Sequence, residues 1–172
     1  MLEQQIEEAK RENPEAFRAI FDEAGDRVFL YAASRTATRE DALDIAQETF
    51  IDLWKALGDF HYRSDEEFWG FLFRIAKRKL AAYYRSQPAE LSLDRIPEPS
   101  YDMEPQDHRM LLGQVNALKS NYQELLRLRY WSDMTFAQIA SVMNIPEVTA
   151  KVWHHRAVKK LQANLNAHEN VV

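Results

Sequence analysis

No cysteine occurs in the 172 residues. That rules out a disulfide, a thiolate metal site and a cysteine nucleophile, and it suits a reducing compartment. Glycine and proline are scarce, with four and six residues, while Leu, Ala, Glu, Arg and Lys recur, so the composition reads as helical rather than sheet-based. No window approaches the ~18–20 consecutive apolar residues that span a bilayer. The start, MLEQQIEEAKRENPEAF, alternates charges and has no apolar stretch before Phe17, so it does not read as a signal peptide. There is no Gly-rich phosphate loop and no His-Glu-x-x-His zinc helix. Of the five histidines, His61, His108, His154, His155 and His168, none sits in a Glu-x-x-His pair of the di-iron type. The adjacent His154 and His155 point to different faces of a helix. The expectation is a cytoplasmic protein with no membrane insertion, no metal, no cofactor and no enzymatic activity.

What is present is a chain 46% hydrophobic and 28% charged, long enough for one ordinary domain or two small ones at ~100–200 residues each. Its formal net charge of −5 argues at first against nucleic acid. Phosphate, however, is bound by local clusters of Lys and Arg, so distribution matters more than the total.

From Pro14 to Tyr31 apolar residues fall at helical steps: Ala16, Phe17, Ile20, Phe21, Ala24, Val28 and Tyr31. Asn13 before Pro14 suits a cap followed by a first-turn proline. A second helix is expected from Thr38 to Leu57, with Thr38 and Asp41 in capping-box spacing and Gly58 at its end. A polar loop then runs to Asp65, and a third long helix from Glu66 to Arg85. Between Gln87 and Arg109 lie Pro88, Pro97, Pro99 and Pro105 with Glu90, Asp94, Glu98, Asp102, Glu104 and Asp107. That stretch has too little apolar surface to offset its ordering entropy and reads as an extended acidic linker. Helical patterning resumes at about Met110. The expected architecture is all-α: two small helical domains, 1–86 and 110–172, joined by the linker 87–109.

Three constellations carry chemistry. In the C-terminal part, Thr135 and Gln138 have capping-box spacing ahead of a short helix with apolar Phe136, Ile139, Ala140 and Met143. Asn144 suits a turn, and Pro146 the first turn of a second helix from Glu147 to about Leu161. This is helix-turn-helix spacing, whose second helix fits the major groove. On it Ala150, His154, Ala157 and Leu161 would face inward, while Thr149, Trp153, Arg156 and Lys160 form another face flanked by Lys151 and Lys159; such a basic stripe serves phosphate contact. The second constellation is the run Phe68–Ala89, with Arg74, Lys77, Arg78, Lys79 and Arg85 and no acidic residue, among the rings of Phe60, Tyr62, Phe68, Trp69, Phe71, Phe73, Tyr83 and Tyr84. Rings beside cations suit single-stranded nucleic acid, each stacked base contributing ~1–3 kcal/mol; Phe68, Leu72, Phe73 and Ile75 are spaced as core. The third is the helix Asp41–Leu57, where Asp41, Asp44, Gln47 and Glu48 share a polar face. With Leu43, Phe50 and Trp54 beside it, that face suits a basic partner helix, although an acidic helix face is commonly just solvated.

Together these resemble the sigma factors of bacterial RNA polymerase, in their small two-domain extracytoplasmic-function group, from about Pro14 to Leu161. Asp44-Ile-Ala-Gln-Glu-Thr-Phe50 is similar to the family's helix that binds the clamp of the polymerase β′ subunit. The resemblance implies Leu43, Asp44, Gln47, Glu48, Phe50 and Trp54 as core-polymerase contacts. Phe71–Arg85 resembles the helix that meets the −10 element, and the loop Asp59–Asp65 would capture a flipped non-template base. The implied contacts to the melted strand are Phe60, His61, Tyr62, Arg63, Trp69, Arg74, Lys77, Arg78, Lys79 and Arg85. Thr135–Leu161 resembles the −35-reading helix-turn-helix, which implies Thr149, Lys151, Val152, Trp153, Arg156 and Lys160 as contacts to duplex DNA. Implied partners are core RNA polymerase (β′ clamp and β subunit), promoter DNA as duplex and as melted strand, and an anti-sigma protein, which the group often has.

The chain departs from the family where members usually carry Asn at Arg78 and an acidic residue near Ala82. It departs again where Val152 and Trp153 replace a Ser-Arg pair expected to touch DNA. Trp cannot substitute for the bidentate guanine reading of Arg. Either the −35 sequence differs, or the domain reads shape and phosphates, or another partner supplies targeting. His154 stands where an inward Leu is usual. The competing reading is a free-standing helix-turn-helix regulator that binds duplex DNA without polymerase; it leaves the loop, the aromatic-basic helix and the acidic linker without a role.

Overall fold

Across the residues it describes, 2–87 and 105–169, the computed structural model contains eight α-helices, one 3-10 turn and no strand. The helices are α1 (Leu2–Ala9), α2 (Pro14–Ala33), α3 (Arg39–Ala56), α4 (Asp65–Ser86), α5 (Pro105–Asn116), α6 (Ser120–Tyr130), α7 (Phe136–Met143) and α8 (Glu147–Glu169), with the 3-10 turn at Leu57–Asp59.

Local chemistry sets the ends. The Asn13 side chain accepts from the Glu15 and Ala16 amides, with Pro14 opening α2, and Thr38 accepts from the Asp41 amide at 3.1 Å to start α3. Ser64 accepts from the Glu67 amide at the head of α4, whose first turn is acidic and whose last turn carries Arg85, so both ends complement the helix dipole. Gly58 does not terminate α3 by a left-handed cap. The chain instead tightens into the 3-10 turn, and no glycine among the described residues has positive φ.

One helix is absent from the sequence expectation. Leu2, Ile6 and Ala9, three isolated apolar residues at helical spacing, are buried against α2, and the turn after α1 passes through Glu12 at φ 61°. The acidic linker expected at 87–109 lies largely outside the described residues; the helix expected from Met110 already begins at Pro105.

Helices α1 to α4 pack around Ile20, Val28, Tyr31, Leu53, Leu57, Phe68, Leu72, Phe73 and Ile75, all fully buried. The C-terminal helices bury Leu112, Leu125, Leu126, Leu128 and Ile139. The two groups are not held apart. Helix α4 lies along α7, and the core is continuous across them.

Candidate nucleic-acid and partner interfaces

Helix α3 buries Ala42, Ile45, Ala46, Phe50 and Leu53, which leaves the opposite side, Leu43, Asp44, Gln47, Glu48, Ile51 and Trp54, exposed. Between α2 and α3 runs a groove lined by Phe17, Phe21, Phe29, Leu43, Ile51 and Trp54. Phe50, an expected contact residue, is only 4% exposed. It forms the groove's floor, edge-on to Phe21 at 4.7 Å and to Phe17 at 6.5 Å. Phe17 in turn meets Trp54 at 4.8 Å. Phe21 and Ile51 belong to this apolar surface, and the sequence does not single them out as contacts. Spacing alone places Phe21 on the buried stripe of α2; the crossing of two helices is what leaves it at the surface.

Helix α4 does not present its basic run intact. Lys79 pairs with Asp52 at 2.7 Å and with Glu48 at 3.5 Å. Its hydrogen bond holds the Asp52 carboxyl below its ordinary range and raises the lysine. An expected strand contact is thus tied to an expected polymerase contact. Lys77 reaches Glu124 of α6 at 3.3 Å. Arg74, Arg78 and Arg85 are exposed, with no salt bridge among the described residues. Trp69, expected as a stacking ring, is 2% exposed with the Arg27 guanidinium 4.6 Å above it. In this arrangement it is core and no base can reach its face.

The loop ahead of α4 keeps His61 and Arg63 exposed, while Phe60 stacks on Phe71 at 4.8 Å. Tyr62 donates to Asp65 at 2.6 Å, which pushes its hydroxyl pKa up to about 12.

The two helical groups meet chiefly along α4 and α7, and Glu124 of α6 adds a buried polar contact to α2 and α4. Its buried carboxylate accepts from the Tyr31 hydroxyl at 2.7 Å and pairs with Arg35 and Lys77. Beside it the buried Arg127 donates to the Ser34 carbonyl at 3.3 Å and to Gln123 and Asn116. Burial, then the nearby Arg35, draws Arg127 down to about 10, which leaves it charged at neutral pH. Ser132 donates to the Arg27 carbonyl at 3.0 Å. Gly70 is the point of closest approach of α4 and α7. A Cβ there would meet the Ser141 hydroxyl, and the Ser141 carbonyl oxygen at 3.2 Å.

The helix-turn-helix forms as its sequence signals require. Thr135 and Gln138 make a reciprocal capping box. Asn144 takes the left-handed conformation, φ 53° and ψ 51°, to end α7, and three residues later α8 begins. Ala150 and Ala157 are fully buried, small enough to let α8 approach its neighbours closely. The outward face is rotated from the expected one. Trp153 turns in against Tyr122 at 6.4 Å, and Lys160 lies 5.9 Å over the same ring. His154 shares a 2.8 Å hydrogen bond with the Tyr130 hydroxyl and meets Phe136 edge-on at 5.3 Å, so a polar ring fills the position of an inward apolar residue. Burial, then Arg129 and His155, holds its imidazole below the ordinary value. Thr149 is half-buried. The exposed stripe is Val148, Lys151, Val152, His155, Arg156 and Lys159.

Residues 20–89 match the family model "Sigma-70 region 2" and residues 108–161 match "Sigma-70, region 4". The chain belongs to the sigma-70 family. The two matches coincide with the α2–α4 and α5–α8 groups, so the groove and α4 lie in region 2 and the helix-turn-helix in region 4. Family members are transcription initiation factors rather than enzymes, and no group of side chains able to hold a metal occurs among the described residues. The chain is 28% identical to the ECF RNA polymerase sigma factor BldN of Streptomyces coelicolor, over 91% of this chain and 62% of that protein. It is 26% identical to the ECF sigma factor SigM of Bacillus subtilis, over 81% and 88%. It thus spans a little under two thirds of the first relative and most of the second.

Among solved structures, CnrH in complex with the cytosolic domain of CnrY superposes with a TM-score of 0.74 at 24% identity, over 95% of this chain and 96% of that one. The sigma factor RpoE of Bartonella quintana, in complex with the anti-sigma factor NepR, gives 0.67 at 20% identity, over 87% and 96%. Both show that the fold is shared. No described helix is long and apolar enough to cross a membrane.

Proposed function

We propose that this sigma factor acts in the cytoplasm as an alternative sigma subunit of the extracytoplasmic-function type. It binds core RNA polymerase, recognises −10 and −35 promoter elements and promotes opening of the duplex. The observation that carries the reading is the pairing, in one chain, of a region 2 with an exposed apolar and acidic helix face and a region 4 with a cation-lined recognition helix.

The region 2 groove, lined by Leu43, Gln47 and Trp54 with the carboxylates of Asp22 and Asp26, and the exposed Asp44 and Glu48 on the same helix α3 offer apolar area beside negative charge, which suits a basic helix of the β′ clamp. Arg74, Arg78 and Arg85, with the loop residues His61, Tyr62 and Arg63, would hold the melted strand through phosphate contacts and stacking. Lys77 can serve that strand only when Glu124 releases it. The −10 surface and the contact with region 4 are therefore alternatives at that residue. Arg156, Lys151 and Lys159 would hold the upstream duplex. The two groups act as separable modules, 1–86 and 110–172, once they part. Since CnrH and RpoE were solved with the cytosolic domain of CnrY and with NepR, an anti-sigma partner for this chain is part of the proposal.

The test is run-off transcription with purified core enzyme on a genomic promoter library, with co-elution of chain and core measured alongside. Specific starts that need both components are expected. Asp44→Lys should weaken core association by about tenfold or more while leaving the helical circular dichroism intact, because it places a cation against a basic partner. Failure to co-elute even at low ionic strength, with no start sites, would overturn the reading.

A further inference from the structure

Two exposed apolar residues on the recognition helix lie outside the buried core. Val148 is 71% exposed and Val152 41%. Four residues apart, they lie on one stripe of α8 about 6 Å apart along its axis. Both are β-branched, which lowers helix propensity, and neither belongs to the buried core or packs against it. Their neighbours Trp153 and His154 turn inward onto Tyr122, Tyr130 and Phe136. The valine stripe is therefore the centre of the outward surface. Lys151, Arg156 and Lys159 surround it, and Glu147, the acidic residue on this stretch, is paired with Lys151 at 2.7 Å.

A small apolar stripe framed by cations fits a surface that is anionic with small apolar islands. In the major groove the apolar group on the base edges is the thymine 5-methyl; guanine and cytosine offer only donors and acceptors, which valine cannot engage. The spacing of the two valines corresponds to about two base-pair steps of ~3.4 Å. We propose that Val148 and Val152 read thymine methyl groups in the upstream promoter element. This chain would then select thymine there by apolar contact, while Arg156, Lys151 and Lys159 position the helix on phosphates. The proposal rests on the reading of α7 and α8 as a duplex-binding hairpin.

The experiment uses holoenzyme assembled from core polymerase and the full chain. Upstream elements are selected from a pool randomised in that region, and each recovered thymine is then replaced singly by deoxyuridine, which removes the methyl and nothing else. Recovered sites should carry thymines about two steps apart. Their replacement should weaken binding about fourfold per contacted methyl, the ratio that burying one such group corresponds to. Val152→Ala should abolish the thymine-to-uridine difference at one position and Val148→Ala at the other. Neither change should weaken binding to the uridine duplex. Alanine at these exposed sites is the better helix former, so loss of fold does not obscure the result.

Uridine duplexes that bind as well as thymine ones, or alanine variants that keep the full discrimination, would overturn the proposal. So would valine variants that lose core affinity instead, which would mark the stripe as a protein contact. Arg156→Ala separates the two levels. If it weakens binding while uridine has no effect, only the methyl reading fails; if it too has no effect, the duplex-binding reading of the hairpin fails with it.

Discussion

Helices α4 and α8 carry similar clusters of lysine and arginine, yet the fold treats them differently. Helix α4 is built into the protein on several sides. Phe68, Leu72, Phe73 and Ile75 are in the core, Lys79 is held by Asp52 and Glu48 of α3, Lys77 by Glu124 of α6, and Gly70 is pressed against Ser141 of α7. Helix α8 buries Ala150 and Ala157 and turns Arg156 and Lys159 outward, with no ion pair for either among the described residues. Charge belongs to the sequence, but its availability belongs to tertiary contact. A cation already paired with a carboxylate must lose that partner before it can meet a phosphate, so the α4 surface is conditional at Lys77 and Lys79, whereas on α8 only Lys151, paired with Glu147, carries that condition.

The comparison breaks first at Glu124. Removing one partner from a buried ion pair leaves uncompensated charge, so Glu124→Ala should destabilise the protein by about 3–5 kcal/mol in urea unfolding. A loss well under about 1 kcal/mol would show that α4 is not tied to region 4 in solution. Next comes the close approach at Gly70. Gly70→Ala forces α4 and α7 apart at Ser141 and should cost about 1–3 kcal/mol. Ser141→Gly in the same chain should restore part of it, while an additive double variant would place the contact elsewhere.

On helix α8, Arg156→Ala should reduce promoter affinity about tenfold and make the salt slope shallower by about 1, as for a lost phosphate contact. Unchanged affinity and slope would remove α8 from the DNA interface. The smallest effect is at His154. Its folded imidazole titrates below the ordinary 6.5, so the unfolded chain binds the proton more readily. The contribution to stability is complete above about pH 6.5 and declines as pH falls from there through the folded value. The thermal midpoint should drop between pH 7 and pH 5, and His154→Leu should flatten that slope; an equal slope in both proteins would place the titration elsewhere.

Much of the fold is legible in the amino-acid sequence. The Asn13–Pro14, Thr38 and Thr135–Gln138 signals place helix starts because capping is local chemistry, and the four residues spaced as core on α4 are buried. Helix α1 escapes a sequence reading because Leu2, Ile6 and Ala9 are three apolar residues among charges, too few to show a period in so short a segment. Trp69 and Phe50 read as surface rings because a sequence shows an aromatic residue's spacing on its own helix, not what the neighbouring helix lays over it. For the same reason the outward face of α8 expected from spacing is one position away from where Tyr122 and Tyr130 leave it.

The helical class, the helix-turn-helix and the sigma-factor resemblance can be read from the order of residues alone, because periodicity, capping and turn chemistry act over a few residues. Packing between distant segments fixes which rings are covered, which cations are already paired, and that regions 2 and 4 meet along α4 and α7 with Glu124 beside them. Those outcomes depend on contacts between residues as many as 105 positions apart in the chain, as with Ser132 and Arg27, and no local pattern records them.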